Sequence, residues 1–160
     1  DPRSALTYAN RAGAKMTLGD DRGAIADLDR AIELDPRDAI AYMNRGVSKG
    51  NVGDDRGAIA DYDRALELDP RSALTYANRG GARASSGDLR GAIADLDRAI
   101  ELDPRDALSY ANRAGVKGNL GDDRGAIADY EVALRLAPSA TWAAEVRGVV
   151  AAARAKIAGQ

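Results

Sequence analysis

The sequence predicts an all-α protein, an α-solenoid made of a repeated helical hairpin, and three observations carry that expectation. The five prolines of the 160-residue chain, Pro2, Pro36, Pro70, Pro104 and Pro138, stand 34 residues apart, and whole columns of other residues keep the same period. Within each period the apolar residues recur at helical spacing, as at Ala24, Ile25, Leu28, Ala31, Ile32 and Leu34. Strand signals are missing throughout. A constant period of this size marks supersecondary units that cannot bury an apolar face alone and must stack. Four such units fit, 5–38, 39–72, 73–106 and 107–140, followed by a segment over 141–160.

Taken in order, each unit reads as two helices. Ser4, Asp38, Ser72 and Asp106 stand just before the first helices, where a side-chain oxygen can accept from orphan backbone N–H groups. The first helix of the first unit runs from about Ala5 to Leu18 and ends at Gly19, a residue typical of the position past a helix end. Asp20 and Asp21 suit the start of the second helix, and Asp35-Pro36 closes it. So short a connection forces an antiparallel hairpin. The columns Ala24, Ala58, Ala92, Ala126 and Ala31, Ala65, Ala99, Ala133 are expected where helices approach closely. From Thr141 to about Ala158 a single helix places Trp142, Val146, Val149, Val150, Ala153 and Ile157 on one stripe, as a cap over the last hairpin would. The start has no matching cap. Asp1-Pro2-Arg3-Ser4 reads as the tail of a preceding repeat, and the chain as an excised or engineered piece of a longer array.

Composition narrows the function classes. The chain is 45% hydrophobic, 30% charged and 4% aromatic, with no Cys and no His. Thiol nucleophiles, disulfides, zinc sites of the usual type and imidazole chemistry are therefore excluded, and no cofactor is implied. The net charge of −2 lacks the basic excess that a phosphate backbone demands, so no nucleic acid is expected. No apolar run approaches the roughly 20 residues that span a bilayer. These features favour a cytoplasmic location, although a processed periplasmic piece would look the same. Asp20-Asp21, Asp54-Asp55 and Asp122-Asp123 lack the spacing of a calcium loop and read as helix starts rather than metal ligands. Ser85 and Ser86 have no base to activate them. A non-enzymatic protein is expected.

Pro36, Ala24, the Gly or Ala at residues 12, 46, 80 and 114, and the aromatic Tyr8 resemble the tetratricopeptide repeat pattern. Nearly the whole chain follows it, most like the bacterial subtype with NRG or NRA stretches and an ELDP close. The resemblance implies a right-handed superhelix whose first helices line a concave groove. It further implies that Asn10, Asn44, Asn78 and Asn112 project into that groove and grip the backbone of an extended peptide. A primary amide suits the task because it offers donor and acceptor together. Met43, Val47, Asn51 and Asn119 are expected to line the same groove. Members that capture acidic chaperone tails use Lys and Arg there, whereas the matching places here hold Ala9, Gly13, Asn44, Leu74 and Asn78. That argues against chaperone-tail binding.

Each feature also has a plainer reading. The Asn column could instead fasten neighbouring helices together. The basic column of Arg11, Arg45, Arg79 and Arg113, with Lys15, Lys49, Arg83 and Lys117, could recognise acidic peptides, but is expected instead to pair with Asp27, Asp29, Asp61, Asp63, Asp95, Asp97 and Asp129 as exposed ion pairs. Such pairs are worth roughly 0–1 kcal/mol each. The Tyr column reads as core or hairpin seam. The expected function is a scaffold that binds a peptide segment or a partner's helix in the groove. The alternative is a structural array that self-associates head to tail through its uncapped N-terminal end.

Overall fold

A computed structural model describes residues 4–159, which form nine α-helices and no strands. They are α1 (Ala5–Thr17), α2 (Asp21–Leu34), α3 (Ala39–Asn51), α4 (Asp55–Leu68), α5 (Ala73–Ser85), α6 (Leu89–Leu102), α7 (Ala107–Asn119), α8 (Asp123–Leu136) and α9 (Ala143–Ala158). Four hairpins and a terminal helix thus follow the sequence period. The expectation that Asp1-Pro2-Arg3-Ser4 closes a preceding repeat falls, Ser4 apart, outside the described residues.

Local chemistry explains where the helices start and stop. Ser4, Asp38, Ser72 and Asp106 cap the first helices of the units, their side chains accepting from backbone N–H groups two or three residues ahead. Between α1 and α2 the chain turns through Gly19 at φ +76°, a left-handed value that costs a residue without Cβ little. The Gly19 N–H donates to the Met16 carbonyl at 3.0 Å and the Asp20 N–H to that of Lys15 at 2.9 Å, which satisfies the last carbonyls of α1. Asp20 then caps α2 by accepting from the Gly23 N–H at 2.9 Å. That cap accounts for the Gly23 column, because a Cβ there would lie 2.1 Å from the other oxygen, Oδ2, of the capping carboxylate. Gly57, Gly91 and Gly125 repeat the arrangement.

The units stack through alternate contacts. Each second helix packs on the first helix of its own unit and on the first helix of the next, while α1 touches α3, α3 touches α5 and α5 touches α7. The second helices do not touch one another. First helices therefore crowd the inside of a curved solenoid, and second helices fan out on its outer side.

Small residues make this crowding possible. Ala24, Ala58 and Ala92 are fully buried, as are Ala31, Ala65, Ala99 and Ala133 within a percent, and Ala126 is nearly so. Leu28 and Leu96 fill the core of odd units, and Tyr62 does so in the second. Tyr62 fits because residue 46 is glycine: a Cβ there would sit 2.7 Å from its ring. Burial, reinforced by Asp61 and Asp55, pushes the Tyr62 phenol up to about 12.

The terminal helix departs from expectation in two details. It begins at Ala143 rather than Thr141, with Ala143, Val146 and Val150 buried, whereas Val149 is 44% exposed. Its charged residues also hold it in place: Lys156 reaches Asp123 at 2.6 Å and Arg154 reaches Glu131 at 2.5 Å, both on α8.

Candidate functional site

The cationic column of the first helices is consumed within the scaffold. Asp27, Asp61, Asp95 and Asp129 are each 3–5% exposed on the facing second helices. Each accepts a two-pronged bond from the arginine sixteen residues earlier: Arg45 donates to Asp61 at 2.9 and 2.6 Å, Arg113 to Asp129 at 2.8 and 2.7 Å. Lys15, Lys49, Arg83 and Lys117 reach the same four carboxylates at 2.7–2.9 Å. The remaining nitrogen crosses to the unit before, from Arg45 to Asp29 at 2.7 Å, Arg79 to Asp63 at 2.6 Å and Arg113 to Asp97 at 2.6 Å. Each guanidinium also lies over the tyrosine three residues earlier, 5.3–5.5 Å from the ring centre.

The predicted pairing is therefore present, but its expected exposure is not. The in-unit acids are buried, and the arginines of units two to four are only 15–17% exposed. The difference has a physical reason: the small neighbours let the helices close over the pairs. The hydrogen bond from Arg11, against the opposing effect of burial, holds the Asp27 carboxyl at about 2. Burial is the largest influence on Asp129 and pushes it up, yet Arg113 and Lys117 together outweigh it and leave the carboxyl below its ordinary value.

With the cations drawn into the seam, the inner face is left to amides, small residues and acids. Val47, Gly50, Asn51, Asp55, Tyr62, Ala77, Asn78, Gly81, Ser85 and Asn112 line a cavity of about 260 Å³ between units two and three. A second of about 320 Å³ shares Ala77, Asn78 and Asn112 and continues to Leu74, Leu108, Asp103 and Asp106. The two form one trough. Leu6, Ile40, Leu74 and Leu108 stay 53–69% exposed in one column along the first helices.

The helical pairs, their 34-residue spacing and the small-residue columns are those of one family, and the tetratricopeptide repeat profile matches residues 5–38, 39–72 and 73–106. The chain belongs to the tetratricopeptide repeat family. Tetratricopeptide repeats are protein-interaction scaffolds, generally without catalysis. The fourth unit, 107–140, keeps the same hairpin as α7 and α8. No curated protein is significantly similar in sequence. Among solved structures, MamA is 25% identical with a TM-score of 0.82, covering 97% of this chain and 85% of its own. PilF of Pseudomonas aeruginosa is 23% identical with a TM-score of 0.84, covering 96% and 70%. The second tetratricopeptide domain of human RPAP3, in complex with the HSP70 peptide SGPTIEEVD, is 25% identical with a TM-score of 0.69, covering 71% and 94%.

The expected groove residues of this tetratricopeptide array separate into groups. Asn78, Asn112 and Val47 meet in the trough. Asn10 is exposed and Asn44 half-buried on the same face. Among the described residues none of Asn10, Asn44, Asn78 and Asn112 makes a side-chain hydrogen bond. Asn51 lines the trough but also donates to Asp21 of the first unit at 3.0 Å. Met43 packs against the Ala58, Tyr62 and Ala82 cluster. Asn119 lies apart, in a cavity of about 270 Å³ walled by Gly115, Tyr130, Val149 and Ala153. The trough acids Asp103 and Asp106 escaped sequence reasoning, since a loop position reveals its facing only once the helices are placed. Among the described residues no helix is long and apolar enough to cross a membrane, and no cluster of three or more acidic residues is placed to hold a metal ion.

Proposed function

We propose that this chain is an interaction scaffold that holds an extended peptide segment of a partner protein in the trough along its first helices. What supports this is the set of uncommitted amides on a preformed surface: among the described residues Asn44, Asn78 and Asn112 spend no side-chain hydrogen bond. Backbone amides of a ligand can use them at about 0.5–1.5 kcal/mol each. After the ordering cost of the ligand, roughly micromolar affinity is expected. The complex of the RPAP3 domain with an HSP70 peptide lends the fold-level precedent. The test is binding of a random extended-peptide library to the native chain and to Asn44→Ala/Asn78→Ala, at equal helicity. Saturable binding lost in the variant supports the trough; binding that survives unchanged moves the site elsewhere.

A second reading, end-to-end self-association, is favoured by one observation. Arg11 is 58% exposed where its counterparts are 15–17%, and Ala14 is exposed where Ser48, Ala82 and Val116 are buried. The first unit thus presents the surface that later units bury against their predecessors. The complementary surface on α8 is covered by α9, so growth requires α9 to leave. Sedimentation across a wide concentration range separates the readings, because a trough binder keeps a constant mass.

A further inference from the structure

We infer that the trough selects a cationic peptide, one that carries Lys or Arg beside a small aliphatic residue, over an acidic one. This deepens and rests on the proposed trough function. No Lys or Arg lines either half of the trough. The first-helix cations that could have faced it, Arg45, Lys49, Arg79, Arg83, Arg113 and Lys117, are turned to the seam and bonded to buried aspartates. Asp55, Asp103 and Asp106 do line it, and among the described residues none of them is in an ion pair.

Their remaining bonds are local. Asp103 accepts from the Arg105 N–H at 3.0 Å, and Asp106 caps α7 by accepting from the N–H groups of Leu108 and Ser109 and from the Ser109 hydroxyl. These are neutral donors, so among the described residues no cation partners the three carboxylates beside the trough. An acidic ligand would meet like charge there, and charge complementarity governs choice of partner more than raw affinity. The apolar part of the recognition comes from Leu74 and Leu108, 59% and 53% exposed, with Ala73 and Ala77 between them and space of about 320 Å³ for one aliphatic side chain. The occupant is thus an extended segment whose aliphatic residue seats between the two leucines and whose adjacent cation reaches Asp103 and Asp106.

The probes are two fluorescein-labelled, acetylated and amidated peptides, GKLSGKLSG and GELSGELSG. They are titrated against the native chain, Asp103→Asn/Asp106→Asn, and Gly81→Leu. Asn retains the helix cap and the turn, and circular dichroism confirms equal helicity. Gly81 has open space where a Cβ would stand and lines the half of the trough that adjoins the leucine slot, so Leu there obstructs the path of an extended nine-residue segment. The lysine peptide should bind at least about tenfold tighter than the glutamate peptide. That preference should fall to about twofold or less in the Asn double variant and shrink as salt is raised. Equal affinity for the two peptides, with both lost in Gly81→Leu, overturns the charge selection and leaves the trough function standing. A lysine preference unchanged by the Asn substitutions likewise overturns the selection. Lysine-peptide binding that survives Gly81→Leu, or its absence in the native chain, overturns the trough function together with this inference.

Discussion

Replacing Arg79 by Gln measures how much the charged seam contributes to the stack. The guanidinium is 15% exposed, donates to Asp95 at 2.9 and 2.5 Å, and crosses to Asp63 of the preceding unit at 2.6 Å. Gln keeps part of the stem but neither the charge nor the fork. Removing one partner of a buried pair costs about 3–5 kcal/mol. Two features lower the figure here. Asp95 keeps Arg83 at 2.9 Å, and Asp63, at 50% side-chain exposure, rehydrates. A loss of about 2–3 kcal/mol is expected.

Arg11 supplies the internal control. It has the same in-unit acid and the same tyrosine but, among the described residues, no cross-unit ion pair, and Asp27 retains Lys15 at 2.9 Å. Arg11→Gln should therefore cost clearly less, and Arg45→Gln and Arg113→Gln should fall with Arg79→Gln. Urea unfolding followed by helical ellipticity gives the comparison, with the slopes checked because stacked units couple mainly to their neighbours and can unfold in parts. Equal losses at Arg11 and Arg79 would refute the reasoning, since the cross-unit bond would then contribute nothing.

Three further outcomes are expected. Ser48 is fully buried and its hydroxyl finds no partner, while the same place holds Ala14, Ala82 and Val116; Ser48→Ala should raise stability by about 1 kcal/mol in thermal unfolding. Gly46→Ala should destabilise by about 1–3 kcal/mol because its Cβ meets the Tyr62 ring, whereas Gly13→Ala, with nothing nearby, should stabilise by about 0.4–1 kcal/mol; the two urea midpoints moving the same way would contradict this. Asp27 titrates at about 2 against an ordinary 3.8, and Asp129 is also lowered, so the unfolded chain takes up protons first on acidification. Their contribution is complete above about pH 5 and is lost as pH falls through 4 toward 2; carboxyl NMR titration and urea midpoints that stay flat below pH 4 would count against it.

Much of the architecture was legible in sequence because it rests on short-range chemistry. Caps at Ser4, Asp38, Ser72 and Asp106, the turn at Gly19 and the stop at Asp35-Pro36 each depend on residues a few positions away. The same holds for the buried alanine columns, whose helical phase places them on one face. The unspent amides could be located to a column but not to a surface. Asn119 belongs to the cavity walled by α9, and Asn51 divides its role between the trough and Asp21, distinctions that depend on how the units rotate against one another.

By itself the sequence determined the number of hairpins, their boundaries, the absence of imidazole and thiol chemistry, and the pairing of basic with acidic columns. Only the tertiary structure decided how deeply those pairs are buried, that Arg45, Arg79 and Arg113 bridge successive units, and that the trough keeps carboxylates without cations. The division follows from range. Helix starts and stops are set within a turn of the chain, whereas the environment of a charge is set by atoms from three helices that meet only when the units stack.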